Sequence, residues 1–258
     1  PNGEVTGFID THVHMNASEF MGGNLHCGRP FDPQGVTAAL VDCPDHQPDG
    51  IPALLENVLS YGNPFETHDT TGWPSFTDWP AHDSLTHEQT YYKWVERAWK
   101  AGMRIMVSEG TNIAALCEVG RLAVLRPNAD CNDMSLGIKQ VKYLFDLQNY
   151  VDAQEGGPGK GWFRIVTSPK MAREVINEGK LAVVAGLEFA NLFDCTVTFD
   201  PLGNETRGCT KESIDKQIDE VWALGVRELF PYHDVDSALG GTGIFNGDAL
   251  NLVGFVGT

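Results

Sequence analysis

Two histidines one residue apart, His12 and His14, are the residues of this sequence best suited to hold a metal ion. They close the run Asp10-Thr11-His12-Val13-His14, which follows the apolar stretch Gly7-Phe8-Ile9. Alternate side chains of a strand share a face, so both imidazoles point the same way. Neutral imidazole nitrogens ligate divalent ions, zinc at about 2.0–2.1 Å. The alternative is an inert, hydrogen-bonded pair in a turn. Glu188 ends the apolar run Leu181-Ala182-Val183-Val184-Ala185-Gly186-Leu187. A carboxylate there is costly unless a cation receives it, either a bridged metal pair or an arginine. His233, closing Phe230-Pro231-Tyr232, has the chemistry to polarise a substrate carbonyl or phosphoryl group; a core histidine is the other reading. Glu109 follows the strand-like Met103–Ser108 without a partner in sequence, and Asp234 and Asp236 read as exposed loop carboxylates. His68-Asp69 reads as a structural turn. The run Gly156–Gly161 fails the phosphate-loop spacing, because Gln154 stands where its first glycine belongs, and there is no GxSxG elbow.

These residues need strands ending at a common edge. The pattern predicts strands at Phe8–Val13, Met103–Ser108, Leu181–Leu187 and Glu228–Tyr232. Between them it predicts helices over Leu85–Lys100 with Thr86 as N-cap, Met134–Ala153, Ser168–Glu178 with Pro169 at the first position, and Lys211–Leu224 stopped by Gly225. Strand and helix in alternation imply right-handed crossovers and a parallel sheet. Residues 15–84 are rich in Gly, Pro, Asp and Asn and read as a long elaborated loop, with one helical patch at Ile51–Leu59.

At 258 residues, 42% hydrophobic and 21% charged, the chain reads as a globular domain spanning 1–258. A formal net charge of -17 repels phosphate backbones and excludes nucleic acid as a natural partner. No apolar run reaches the roughly 20 residues of a membrane span. The start Pro1-Asn2-Gly3-Glu4 lacks signal-peptide character and is expected to be a processed end. Six cysteines without a CxxC point away from zinc knuckles and toward disulfides; short loop closure favours Cys27–Cys43, Cys117–Cys131 and Cys195–Cys209 among the possible pairings. With the sequons at Asn16 and Asn204, this suggests a secreted, extracellular or periplasmic protein.

The motifs resemble the amidohydrolase superfamily, and within it the membrane (renal) dipeptidase group and its secreted bacterial relatives. Asp10–His14 resembles the opening metal motif, although the dipeptidases carry HxD where this chain has HxH. Glu178-Gly179-Lys180 leading to Gly186-Leu187-Glu188 is similar to the dipeptidase strand whose glutamate bridges two zinc ions. Phe230–His233 is similar to the segment carrying a substrate-contacting histidine. The resemblance implies a (β/α) barrel of TIM type, with the long loop and the cysteines outside the family pattern. It assigns His12, His14 and Glu188 to metal and His233 to catalysis.

A complete barrel has eight strands, and this sequence offers four of barrel quality. The family's later histidine ligands and last-strand aspartate find no counterpart, since only Asp234, Asp236 and Asp248 follow His233 as acids. The expectation is therefore the first half of a barrel, completed by a C-terminal half as a second chain or a further segment. The activity expected is hydrolysis of amide or peptide-like bonds in a small-molecule or peptide substrate. Water activated by one or two divalent ions, zinc first, would be the nucleophile. The rival readings are a non-catalytic extracellular binding module on the same fold and a phosphoesterase with an HxH opening.

Overall fold

The computed structural model describes residues 5–23, 29–40, 91–123, 128–233 and 237–241. The expected Cys27–Cys43 pair, Ile51–Leu59, Thr86 and His68-Asp69 lie outside the described residues.

Five strands form a parallel sheet: β1 (Phe8–Val13), β2 (Met103–Thr111), β3 (Phe163–Ile165), β4 (Leu181–Glu188) and β7 (Val226–Phe230). β1 pairs with β2 and β2 with β4. The free edge of β4 is shared, with β3 beside Leu181–Val183 and β7 beside Ala185–Glu188. β1-β2-β4-β7 are thus the four strands expected from sequence, adjacent and in sequence order, while the short β3 is an addition. A two-stranded antiparallel hairpin, β5 (Val197–Phe199) with β6 (Glu205–Arg207), stands apart.

The helices are α1 (Val36–Ala39), α2 (Lys93–Lys100), α3 (Ala114–Ala123), α4 (Asp133–Gln154), α5 (Pro169–Asn177) and α6 (Lys211–Leu224). Their ends follow ordinary capping chemistry. The Asn132 side chain accepts from Ser135 N at the start of α4, the Ser168 side chain accepts from Met171 N with Pro169 at the head of α5, and Thr210 and Ser213 form a capping box on α6. Gly225 ends α6 at φ 107, a left-handed conformation that glycine adopts without penalty.

Period-2 alternation along β4 divides its side chains between two environments. Leu181, Val183, Ala185 and Leu187 join the main core with Val141, Leu144, Leu147 and Val151 of α4. Ala182 and Val184 face the other way and pack with Ile105, Ala172, Val175 and Ile176. The step from β3 back to β4 runs against the direction of the other crossovers, so a right-handed connection puts α5 on the opposite face. Helices therefore cover both faces at the N-terminal end of the strands. At the C-terminal end that second face carries Gly186 and Glu188 instead.

The apolar residues that open β1 are not buried. Phe8 and Ile9 are 49% and 52% exposed, because among the described residues β1 pairs on one side only and no helix covers it. Leu229 and Phe230 of β7 are also exposed. Among the described residues there are two disulfides, Cys117–Cys131 and Cys195–Cys209. Among the described residues no helix is long and apolar enough to cross a membrane.

Candidate metal centre

The C-terminal ends of β1, β2, β4 and β7 bring six ionisable side chains to one place, His12, His14, Glu109, Glu188, Glu228 and His233. A register shift between Asp10 and Val13 marks an irregularity within the β1–β2 pairing, and Asp10 Oδ1 accepts from His12 N there. His12, within that shift, and His14, just after it, turn to the same side, with rings edge to face at 4.9 Å and Nε2 atoms 3.2 Å apart. Glu188 Oε2 lies 3.0 Å from His12 Nε2 and 3.2 Å from His14 Nε2. Its other oxygen, Oε1, lies 3.2 Å from His233 Nε2. The glutamate is 1% exposed, and histidines, rather than the alternative arginine, are its partners. Its two oxygens face two different groups.

Glu109 is the member that sequence reading set aside. β2 runs on to Thr111 rather than stopping at Ser108, which places Glu109 inside the strand, in register with Gly186. It is 6% exposed, and Oε2 is 3.4 Å from His12 Nε2. His12, His14, Glu109 and Glu188 each offer one donor atom, all within 4.8 Å of one another, and could hold a metal ion. The signal missed in sequence was cross-strand: Glu228, in register with Gly186 from the other side, is its partner.

The frame around β2 is tightly satisfied. Gln140 of α4 accepts from Thr111 N and donates to Thr111 O, closing the strand end as another strand would. Asn112 accepts from Met21 N and donates to Cys131 O and to Asp133 Oδ1. Asp133 Oδ2 in turn accepts from Asn191 N, just beyond β4. The ends of β2 and β4 are thereby tied to the start of α4.

The electrostatics suit a cation. His14 donates from Nδ1 to the Glu109 carbonyl at 3.1 Å, which leaves Nε2 as the lone-pair nitrogen facing the cluster. Burial lowers the His14 pKa, against the backbone bond and the Glu188 charge, and so favours the neutral ligand form. Burial, then the charges of Glu228 and Glu188, push Glu109 up to about 8. Burial is also the main cause that raises Glu228. Among the described residues, no lysine or arginine ion-pairs with Glu109, Glu188 or Glu228.

Other sequence expectations resolve as structure. The Gly156–Gly161 run is a turn wrapped on Asp152, which accepts from Gly159 N, Gly161 N and Arg164. Asp234 and Asp236 lie outside the described residues. The sequon at Asn16 is corrected: Asn16 is 3% exposed, and its Nδ2 donates to Gln140 O, because the turn after β1 folds it under α4. Asn204 is exposed at the tip of the β5–β6 hairpin.

Comparison with family models, with curated proteins and with solved structures finds no match. The chemistry of this chain is therefore read from its own geometry: an α/β fold whose parallel strand ends gather two histidines and two glutamates into a cluster able to hold a metal ion.

Proposed function

We propose that this chain is the metal-holding part of a secreted hydrolase acting on amide or peptide-like bonds. The single observation that carries the reading is the convergence of His12, His14 and Glu188, from strands β1 and β4, with contacts of 3.0–3.2 Å. Donors from two distant points in sequence, residues 12–14 and 188, meet at the strand ends, where parallel α/β sheets place their chemistry.

The donor set fits a divalent ion. Two imidazole nitrogens with a carboxylate are a catalytic zinc set, and zinc is the ion of choice here. When bound, such an ion supplies Lewis acidity toward a carbonyl and lowers the pKa of water toward about 7. His12 and His14 would hold it through Nε2, the latter oriented by its bond to the Glu109 carbonyl. Glu188 would lend Oε2 to that corner, while its Oε1 lies 3.2 Å from His233 Nε2. His233, a quarter exposed, stands at the open side and positions the substrate carbonyl. The fold is read as part of a TIM-type barrel whose inner face is closed at the N-terminal end by α5. The exposed apolar residues of β1 and β7 support a continuation of the sheet by a C-terminal half, in this or a second chain. The two disulfides and the exposed Asn204 sequon support an oxidising, extracellular setting.

The test is metal analysis of the purified chain and of His12→Ala after dialysis against zinc, with dipeptide hydrolysis measured in the presence of any C-terminal partner. The expected result is bound zinc in the wild type and at least a tenfold weaker affinity in the variant. Equal metal content and equal activity would refute the assignment.

A further inference from the structure

Asp133, Gly137 and Gln140 of α4 stand at i, i+4 and i+7, one stripe along a helix face. The stripe meets the ends of β2 and β4. At its middle the helix comes close to the sheet. A Cβ on Gly137 would run into the Phe189 ring, and a Cβ on Gly110 would lie 3.1 Å from the Gly137 carbonyl. That approach lets the polar side chains on either side of Gly137 reach strand backbone.

Gln140 makes the most of it. Along its middle α4 otherwise buries apolar side chains, Leu136, Val141, Leu144 and Leu147. A buried amide among them is costly unless it is bonded. The Gln140 amide is bonded twice to one residue: Oε1 accepts from Thr111 N at 3.1 Å, and Nε2 donates to Thr111 O at 2.8 Å. Thr111 is in register with Glu188. It also follows Glu109 by two residues, and the Glu109 carbonyl accepts from His14 Nδ1. The Gln140 carbonyl accepts from Asn16 Nδ2 at 2.7 Å, two residues past His14. The sheet alone holds this end of β1 weakly, since the β1–β2 register is interrupted between Asp10 and Val13. One buried residue thus ties the segment after His14 to the strand end beside Glu188.

We propose that Gln140 is a positioning residue of the metal centre: from α4, without touching the ion, it sets the separation of His14 and Glu188. This rests on reading the strand ends as a metal centre. A shift of Thr111 would move the Glu109 carbonyl that orients the His14 ring, and would move the backbone beside Glu188. Groups that orient metal ligands from behind act on affinity in this way.

The experiment titrates Co2+ into the full chain stripped with chelator and reads its visible ligand-field bands, which respond to the number and geometry of the donors. Gln140→Met, unbranched and of similar length, is expected to bind Co2+ roughly tenfold or more weakly than wild type and with shifted bands. Ser168→Ala, which removes the α5 cap, is the comparison: it lowers stability and is expected to keep wild-type affinity and bands. A purely structural Gln140 would give Gln140→Met the same pattern as Ser168→Ala, and that result overturns the proposal while the metal reading stands. Should Gln140→Met lose its far-UV circular dichroism, Asn16→Ala, which cuts only the tie to β1, is read in its place. Weaker binding with shifted bands then supports the proposal, and wild-type affinity and bands overturn it. A wild-type chain that binds no Co2+ removes the metal centre and the positioning role together.

Discussion

Replacing Asp133 by asparagine should remove one part of the pH dependence of stability. Asp133 is 2% exposed and joins Asn112, after β2, to Asn191, after β4. Burial raises its pKa from 3.8 to about 6, against hydrogen bonds that lower it. The unfolded carboxyl loses its proton near pH 4 and the folded one near pH 6. Between these values the native state binds more protons, so stability from this group falls as pH rises. It is fully present below about pH 4 and lost above about pH 6. Roughly two pKa units at 1.36 kcal/mol each make the change about 3 kcal/mol. The substituted amide would stay neutral at every pH and keep an acceptor for Asn112, but its NH2 would face the Asn191 N–H, a loss of about 1–3 kcal/mol. The variant should therefore be less stable than wild type at pH 4.5 by about that amount. At pH 7 the gap should close or change sign. Urea unfolding with disulfides intact, at both pH values, measures it; titrations common to both proteins cancel in the difference. A difference that stays constant from pH 4.5 to 7 would refute the reasoning.

Replacing Cys117 and Cys131 together by alanine removes a cross-link between residues 14 apart and should lower stability by about 3 kcal/mol in denaturant unfolding. Mass mapping after expression in a glycosylating host should find glycan at Asn204 and none at Asn16, since Asn16 is buried beneath Gln140. Gly186→Ala should cost about 1–3 kcal/mol by overpacking, read as a lower denaturation midpoint, because its methyl group would displace the Glu109 and Glu228 carboxyls.

Much of the architecture was legible because it rests on local rules. The apolar run of β4, the caps at Ser168 and Thr210 and the stop at Gly225 each specify an element within a few residues. The HxH pair was legible for the same reason: alternation alone puts both rings on one face. Glu188 stood out as a charge ending a buried strand. Glu109 did not, because its importance depends on register. Met103–Ser108 reads as a complete strand, and nothing nearby announces that Gly186 leaves room for a carboxyl on each side. β3 was missed because three residues carry no periodicity, and with it went the backward crossover that puts α5 on the second face. The exposure of β1 could not be read from Phe8 and Ile9, whose apolar character argues for burial; which neighbours a strand has is a tertiary fact.

The central claim is that His12, His14 and Glu188 ligate one divalent ion. X-ray absorption at the zinc edge, on the chain loaded with one zinc per molecule, tests it most directly. The account predicts a first shell of nitrogen and oxygen at about 2.0–2.2 Å with outer-shell scattering from two imidazoles, reduced to one in His14→Ala. A spectrum with no imidazole scattering, or one unchanged by His14→Ala, would contradict it.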